Sequence, residues 1–415
     1  MSNPELIRAA RTNPLIQLTD TEAQLDMKKL RAYRLARVRE QLALRDLGAC
    51  VLFDPISVRY ASGYRNLPIF QMHIPGYYLF VPQEGPVILF DGPNHHHVAE
   101  GLESIDECRP ALPQHYFIGG SRMDEWVTQW SAEIAELMHE HGGGSRRLGL
   151  TRVDVRTVGA LQMHNIESVD AVEMMEHARS IKSAEEIMCM NVAITTAEVG
   201  MSRMREALKP GMTENEFWSI LHATNMSMGG DWVDCRLVSS GDRSVPWMRE
   251  SSQRMIRPSE LVAFDTDMIG PFGYAADISR TFYSGPGKPK VSQRDVYKLA
   301  YEELHHNLAL VKAGLGFKEF SDKAFKQPPQ YVANRYLALA HGIGMCDEWP
   351  TISYPVDFEK WGYDGVLEEG MTISVESFMG AEGGHEGVKL EQQILVTEHG
   401  YELLTQFPFE DDLLA

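Results

Sequence analysis

Six side chains in the last third of the chain are of the types that bind divalent metal ions. They are Asp265, Asp267, Asp277, His341, Glu376 and Glu391. Two of them, Glu376 and Glu391, stand inside apolar, strand-like segments, where a lone ionised carboxylate is costly unless a cation neutralises it. Oxygen donors with one imidazole suit Fe, Mn, Zn and Co about equally. These residues therefore indicate a metal centre, and they leave the identity of the metal open.

The local sequence predicts how the first acids reach one place. A strand is predicted over 261–267, and on it Asp265 and Asp267 would point to the same face because side chains alternate along a strand. The Gly-Pro-Phe-Gly segment that follows suits a hairpin that returns Asp277 beside this pair. The glycines after His341 allow another backbone segment to approach closely.

Charge indicates how many ions such a centre would hold. Five ionised carboxylates carry five negative charges, and two divalent ions supply four positive charges. A site for two ions is therefore nearly balanced, whereas one ion would leave strong repulsion between the acids. The alternative interpretation is that each acid is a solvated surface group or one half of a salt bridge, which explains single residues better than it explains all six.

The composition is that of an ordinary globular protein. A chain of 415 residues exceeds what one compact core usually holds, so two domains are expected. The formal net charge of -19 disfavours binding to nucleic acid or to an anionic membrane surface, and no apolar run has membrane length. The five cysteines are scattered and unpaired in spacing, which favours reduced thiols in the cytoplasm.

The pattern of the sequence changes near residue 177, where we expect the domain boundary. Helices are predicted over 21–44, 124–140, 213–226 and 292–311, with Thr19 and Thr21 as N-caps of the first. Strands are predicted over 49–53, 76–81, 86–90, 148–153, 169–175, 261–267, 372–377 and 393–396. Ser183, followed three residues later by Glu186, has capping-box spacing and predicts the start of a long helix.

The order and flanks of the six residues resemble the metal-site motifs of the creatinase and methionine aminopeptidase superfamily, which has the pita-bread fold. The resemblance lies in Phe264-Asp-Thr-Asp267, His341-Gly-Ile-Gly344, Gly370-Met-Thr-Ile-Ser-Val-Glu-Ser377 and Gly387-Val-Lys-Leu-Glu391. It implies an α+β protein with an N-terminal creatinase-like α/β domain, residues 1–177, and a C-terminal pita-bread catalytic domain, residues 178–415. It also implies two divalent metal ions and a homodimer.

Two segments differ from the peptidases of that superfamily. Those peptidases have a histidine in the segment that here is Ser239–Trp247, and a second histidine in the turn that here is Met345–Pro350. Neither segment contains a histidine, and the turn contains Asp347 instead. The two histidines hydrogen-bond the scissile amide and its tetrahedral intermediate, so their absence removes the electrostatic stabilisation on which acyl transfer depends most.

Each difference resembles one branch of the superfamily, the dimethylsulfoniopropionate (DMSP) lyases of the DddP type. This resemblance implies cleavage of a small sulfonium carboxylate to dimethyl sulfide and acrylate, with Asp347 as the base and Tyr336 in the substrate pocket. It also aligns Phe70 with a tryptophan of those lyases. Trp247 and Trp349 are further aromatic faces that would attract a sulfonium. Alternatively, Asp347 caps a turn and the aromatic residues are ordinary packing residues.

Three functions remain open from the sequence. The first is a two-metal lyase that performs β-elimination on a sulfonium carboxylate. The second is a metallohydrolase of the Xaa-Pro dipeptidase or creatinase type. The third is a binding protein that keeps the fold without catalysis. The missing histidines favour the lyase over the metallohydrolase. The presence of all six candidate metal-binding residues argues against a binding protein without catalysis.

Overall fold

The chain folds into two compact units. The computed structural model describes residues 25–152 and 154–415. The first unit contains the described residues up to Ser168 together with Ser183–Met188, and the second contains Val169–Lys182 and Cys189–Ala415. The division into two parts of mixed helix and strand content agrees with the predicted fold class. The exact boundary near residue 177 remains our proposal.

The first unit is built on a mixed six-stranded sheet. Its strands are β1 Ala49–Leu52, β2 Tyr78–Pro82, β3 Ile88–Asp91, β4 Glu107–Pro110, β5 Arg147–Leu150 and β6 Glu167–Asp170. The last two residues of β6 belong to the second unit. They lie in the order β4-β3-β2-β1-β5-β6, in which β1 is antiparallel to β2 and parallel to β5. The helices of this part of the chain are α1 Met27–Leu44, α2 Pro55–Ser62, α3 Pro68–His73, α4 Tyr116–Gly119, α5 Met123–His141 and α6 Val155–Met163.

The core of the first unit lies between this sheet and α5. Strands β1, β2 and β3 are buried along their whole length, as their continuous apolar runs require. Trp130 of α5 is completely buried and lies against the ring of Phe53, 6.2 Å between ring centroids. Ile134 and Leu137 of the same helix join this cluster, so the apolar face of α5 covers the sheet.

The second unit contains most of the remaining elements. Its helices, including α8, which spans both units, are α7 Val172–Ser180, α8 Ala184–Ala207, α9 Glu214–Ser227, α10 Val291–Leu308, α11 Phe317–Lys323, α12 Pro329–Val332, α13 Phe358–Trp361 and α14 Asp411–Leu414. Its strands are β7 Trp232–Val233, β8 Val238–Ser240, β9 Leu261–Phe264, β10 Met268–Ile269, β11 Ala275–Ala276, β12 Arg280–Tyr283, β13 Ala340–Ile343, β14 Asp347–Ile352, β15 Thr372–Met379, β16 Val388–Thr397 and β17 Gly400–Leu403.

Three sheets form in this unit. One has the order β11-β10-β7, one β12-β9-β8 and the largest β14-β13-β15-β16-β17. The largest sheet is antiparallel, and its long strands β15 and β16 are almost completely buried. Tyr297, Ala300 and Leu304 repeat at helical spacing along α10 and pack into the same hydrophobic core as β15 and β16. This packing holds the two strands that carry Glu376 and Glu391.

Most of the predicted elements occur, with two exceptions. The predicted strand over 169–175 is wrong, because β6 ends at Asp170 and α7 begins at Val172. The strand predicted over 261–267 ends at Phe264. Tyr336 lies outside a helix, because α12 ends at Val332.

Side-chain hydrogen bonds cap the starts of α8 and α1. Ser183 and Glu186 form the predicted capping box, since Ser183 N donates to Glu186 Oε2 at 2.9 Å and Glu186 N donates to Ser183 Oγ at 3.2 Å. The described part of α1 is capped by Asp26, whose Oδ1 accepts from Lys29 N at 3.0 Å. Thr19, Thr21 and the predicted end of one strand at Val153 lie outside the described residues.

Candidate metal centre

The six candidate metal-binding residues come together inside the second unit. Their donor atoms form three overlapping groups, and within each group all atoms lie within 4.8 Å of one another. The groups are Asp277 with His341 and Glu391, Asp265 with Glu376 and Glu391, and Asp265 with Asp267 and Asp277. Asp265, Asp277 and Glu391 each belong to two groups. This sharing is the arrangement expected when neighbouring ions have common ligands.

The pairing of the strands explains part of this convergence. Glu376 of β15 is directly opposite Glu391 of β16 in the antiparallel register. His341 of β13 is opposite Ser374, two residues from Glu376 on β15, and a β-bulge follows His341. These three side chains therefore reach the same region from three neighbouring strands.

The loops after β9 and β11 supply the three aspartates. Asp265 and Asp267 follow the end of β9, so the predicted same-face placement on one strand is wrong. Asp267 instead has a positive φ of 35°, and this turn of the backbone directs its side chain. Thr266 Oγ1 donates to Ala276 O at 2.8 Å and accepts from Ile278 N at 2.9 Å, which ties this loop to the residues on both sides of Asp277. The predicted hairpin return of Asp277 is confirmed by the antiparallel pairing of β10 with β11.

Four of the acids are buried and incompletely hydrogen-bonded. One oxygen of each has no hydrogen-bond partner among the described residues. These atoms are Asp265 Oδ1, Asp277 Oδ1, Glu376 Oε1 and Glu391 Oε1. A buried carboxylate oxygen without a partner is costly, so four together need a group that accepts electron pairs from all of them. A divalent cation does this, and the residues present therefore fit a metal centre.

The neighbours of the two ring nitrogens of His341 suit a metal ligand. Nδ1 lies 3.0 Å from the carbonyl oxygen of Gly342, so a proton on Nδ1 can be donated there. Nε2 faces the acids, 3.4 Å from Glu376 Oε1 and 3.5 Å from Asp277 Oδ2. A backbone acceptor on one ring nitrogen fixes the tautomer that leaves the other nitrogen available for a metal.

Lys389 is part of the site and was missed by sequence reasoning. Its Nζ lies 3.0 Å from Asp265 Oδ2 and 3.5 Å from Glu391 Oε2, and it donates to Glu376 Oε2. A usable signal was present, because Lys389 and Glu391 are two residues apart on one strand and therefore share a face. With Lys389, the five carboxylates and two divalent ions would balance in charge.

The pKa values of the buried groups reflect this crowding. Burial raises the pKa of Asp277 and Glu391 well above the ordinary value, and the neighbouring carboxylates raise it further. Burial also acts to raise the pKa of Asp265, but the charge of Lys389 outweighs it and lowers that pKa to about 2. For His341, burial acts to lower the pKa, yet the nearby carboxylates of Glu376 and Asp347 raise it to about 10. The acids thus need additional positive charge to be ionised together.

Asp347 lies at the edge of the centre. It begins β14, and its Oδ1 is 3.8 Å from His341 Nδ1. Its side chain is 67% exposed, so this carboxyl is largely hydrated. The physical reason is its position at a turn, where the side chain projects outwards while the next residue, Glu348, is buried. An exposed carboxylate at this place is accessible to a substrate.

Two of the four aromatic residues singled out lie near the centre. The ring of Tyr336 has Lys389 Nζ 4.3 Å from its centroid. Trp247 is almost completely buried, stacks obliquely on Phe378 and belongs to a small hydrophobic cluster that Tyr336 also contacts. Tyr336 therefore contacts both Lys389 and the hydrophobic cluster that contains Trp247.

The other two aromatic residues have different surroundings. The ring of Trp349 lies 4.6 Å from His177 and 5.6 Å from Phe317, measured between centroids. Phe70 belongs to the first unit, where its ring contacts Phe117 at 6.4 Å. Contact of Phe70 or Trp349 with a substrate remains a prediction.

Comparison with known proteins places the chain in a family. The profile of metallopeptidase family M24 matches residues 188–398, and that of the creatinase/prolidase N-terminal domain matches residues 34–181. The chain belongs to metallopeptidase family M24. The predicted superfamily, with its creatinase-like N-terminal domain and pita-bread catalytic domain, is therefore confirmed.

Two curated relatives in this family are similar to the chain over most of its length. A protein of Roseovarius nubinhibens named dimethylsulfoniopropionate lyase DddP is 35% identical over 94% of this chain and 89% of its own length. A protein of the same name from Roseobacter denitrificans is 34% identical over 94% of this chain and 88% of its own length.

Solved structures of other proteins share the fold. An Xaa-Pro dipeptidase from Bacillus anthracis has a TM-score of 0.73 at 20% identity and covers 92% of this chain and 99% of its own. A prolidase from Pyrococcus furiosus has a TM-score of 0.69 at 22% identity and covers 89% of this chain and 99% of its own. At these identities the likeness concerns the fold alone. Among the described residues, no helix has both the length and the apolar character needed to cross a membrane.

Proposed function

We propose that this M24 protein is a metal-dependent carbon–sulfur lyase that cleaves a small sulfonium carboxylate, such as dimethylsulfoniopropionate, to dimethyl sulfide and acrylate. The observation that carries the proposal is Asp347, a carboxylate next to the metal-binding cluster in a turn that contains no histidine. The names of the two curated relatives support the same substrate class.

Two divalent ions are proposed as the cofactor, held by the six clustered residues. The overlapping donor groups and the four unpaired carboxylate oxygens support this number. When bound, the ions would polarise the carboxylate of the substrate and increase the acidity of its α-proton. Lys389 would keep the acids in place and balance the remaining negative charge.

Asp347 is proposed as the base of the elimination. Its carboxylate removes a proton from the carbon next to the substrate carboxylate. The electron pair of that C–H bond becomes the second bond of the C=C group, and the C–S pair leaves with the sulfur. The products are acrylate, neutral dimethyl sulfide and a protonated Asp347, which then returns its proton to water because the side chain is exposed.

The sulfonium group would be recognised by aromatic faces rather than by a carboxylate. Tyr336 contacts Lys389 and packs against the cluster that contains Trp247, and both aromatic residues are proposed to line this part of the pocket. Cation–π attraction suits a soft, weakly hydrated cation that offers no hydrogen-bond donor. Phe70 and Trp349 are proposed as additional pocket residues on the sequence argument alone.

A second candidate is an Xaa-Pro dipeptidase or creatinase-type metallohydrolase. The shared fold and the presence of the clustered metal-binding residues favour a metallohydrolase. The absence of histidine from Ser239–Trp247 and Met345–Pro350 argues against it, because an amide intermediate would lack these hydrogen-bond donors.

One experiment separates the two candidates. Protein loaded with Fe, Mn, Zn or Co is incubated with dimethylsulfoniopropionate, and dimethyl sulfide in the headspace is measured by gas chromatography. Parallel samples receive a dipeptide with a C-terminal proline. Sulfide release without dipeptide cleavage is expected. Dipeptide cleavage without sulfide release would reverse the order of the two candidates.

We also propose a cytoplasmic homodimer that acts on a small molecule and binds neither nucleic acid nor membrane. The five cysteines are free thiols, which supports a reducing compartment. The net charge of -19 supports the absence of polyanionic partners. The dimer is proposed from the family resemblance, and light scattering in solution would test it by the mass of the particle.

A further inference from the structure

The turn that carries Asp347 is attached to a buried group of charges on its inner side. We call Arg179, Lys182 and Glu348 the anchor cluster. Lys182 Nζ lies 2.7 Å from Glu348 Oε2, and Arg179 Nε lies 3.1 Å from Glu348 Oε1. The side chains are 6%, 2% and 1% exposed, so three charges are withdrawn from water directly behind the proposed base.

Carboxylates also hold the backbone on both sides of Asp347. Glu348 Oε1 accepts from Met345 N at 3.0 Å, two residues before Asp347. Glu176 Oε2 accepts from Trp349 N at 2.8 Å, two residues after it. Glu176 is itself paired with Arg179. The backbone around Asp347 is therefore bound to the anchor cluster at two points.

The turn packs too closely against Glu348 and Trp349 to shift freely. A Cβ at Gly344 would lie 2.4 Å from Glu348 Oε2, and a Cβ at Gly342 would lie 2.3 Å from the carbonyl oxygen of Trp349. Real Cβ atoms do not approach other atoms so closely. A side chain at Gly342 would clash with the backbone, and one at Gly344 would displace the Glu348 carboxylate, so Glu348 lies in direct contact with the turn.

Neighbouring residues on β14 point in opposite directions, which couples the anchor to the site. Glu348 points inwards to Arg179 and Lys182, and Asp347 points outwards near His341. A displacement of the buried Glu348 side chain would therefore rotate or shift Asp347. A buried ion cluster adds little net stability compared with apolar residues of similar size, so a conformational role explains its presence better.

We infer that Glu348, held by Arg179 and Lys182, is a positioning residue that fixes the Asp347 carboxylate at the edge of the metal centre. The inference rests on the proposed function for its effect on rate. It assigns no role to Glu348 in binding either the ions or the substrate.

The test replaces Glu348 by glutamine, which keeps the size of the side chain and removes its charge. In Glu348→Gln the ion content should equal that of the wild type, because the six clustered residues are unchanged. The kcat for dimethyl sulfide release should fall on the order of tenfold to a hundredfold, the usual effect of displacing a catalytic group by about 1 Å. KM should change by less than about twofold, because groups that bind the substrate are retained.

Three further variants complete the comparison. Glu410→Gln breaks another partly buried pair, with Arg205 at 2.6 Å, in the same unit but outside the anchor cluster. It should retain the wild-type kcat and KM even if its melting temperature falls. Lys182→Met removes one cation of the anchor and should lower kcat in the same way as Glu348→Gln, whereas Lys182→Arg should restore most of the rate. The lysine variants provide the test if Glu348→Gln does not fold.

Hydrogen exchange gives a readout that does not depend on the reaction. A peptide covering 343–350 should exchange faster in Glu348→Gln than in the wild type or in Glu410→Gln. If exchange there and kcat both match the wild type, or if the loss of activity parallels a loss of ions, the inference is wrong. If the wild type releases no dimethyl sulfide while exchange rises in Glu348→Gln, the proposed function fails and the anchoring of the turn is still supported.

Discussion

Lys389 brings a positive charge to within 3.5 Å of three acids that are proposed to bind metal, Asp265, Glu376 and Glu391. It is completely buried, and its pKa is raised well above the ordinary value; burial acts to lower it, but the adjacent carboxylates outweigh burial. An ammonium group in this environment remains charged. Its loss should therefore affect the protein most when no other cation is present.

Lys389→Met should destabilise the metal-stripped protein by about 3–5 kcal/mol, the usual cost of removing one partner from a buried ion pair. Urea unfolding after treatment with a chelator would measure this change. Added divalent ion should recover more stability in the variant than in the wild type. Equal unfolding midpoints for stripped wild type and variant would contradict the proposed electrostatic role of Lys389.

Asp347→Ala should abolish elimination and leave the bound ions in place. A positioned general base contributes about 10²- to 10⁴-fold to a rate, so kcat should fall by at least that factor. Gas chromatography of the headspace and elemental analysis of the same samples would check both parts. Asp364→Ala, which removes an exposed aspartate of the same unit, is the control and should be unchanged. An active Asp347→Ala protein would exclude Asp347 as the base.

At the scale of the elements, α10 carries a buried acid against the sheet that holds Glu376. Glu303 accepts hydrogen bonds from Gln327 Nε2 and Ser377 Oγ, both at 2.7 Å. Burial raises the pKa of Glu303 to about 8. Because the folded-state pKa is above the unfolded value, the folded protein binds the extra proton. This contribution to stability is complete below the unfolded pKa of about 4.5 and is lost as the pH rises through about 8.

Glu303→Gln should therefore become increasingly stable relative to the wild type as the pH rises from 5.5 to 8.5, by an amount on the order of a few kcal/mol. The reason is that glutamine has no proton to lose. Urea unfolding of both metal-stripped proteins at several pH values would give the difference. A difference in unfolding free energy that is constant with pH would show that Glu303 is not protonated in the folded protein.

The elements also show what the sequence can and cannot predict. Continuous apolar runs predicted β1 and β2, and the Ser183–Glu186 spacing predicted the start of α8, because these signals are local. The segment 169–175 was predicted as a strand and mostly forms a helix, since a short apolar run fits either period. The end of β9 at Phe264 depends on contacts with residues distant in sequence.

The candidate site was likewise predictable from the sequence only in part. The six candidate metal-binding residues were identified from sequence because a series of acids in apolar segments is unusual. Lys389 was not identified: its two-residue spacing from Glu391 was a local signal, but its contact with Glu376 depends on the pairing of β15 with β16. The exposure of Asp347 likewise depends on the turn and on the buried Glu348, and a linear motif does not reveal either.

At the scale of the whole molecule, the net charge of -19 includes five acids that are concentrated in one buried cluster of the second unit. The surface is therefore less acidic than the total suggests. Ion binding should stabilise this unit, because a ligand that binds only the folded state raises the free energy of unfolding. The family fold and the electrostatics of the centre thus both make activity dependent on divalent ions.

The most direct test is a titration of metal-stripped protein with divalent ion while dimethyl sulfide release is measured. Release should be absent without ion, rise as ion is added and reach a plateau at two ions bound per chain. Release without any bound ion, or two bound ions per chain without release from dimethylsulfoniopropionate, would contradict the proposal that this cluster is the centre of a carbon–sulfur lyase.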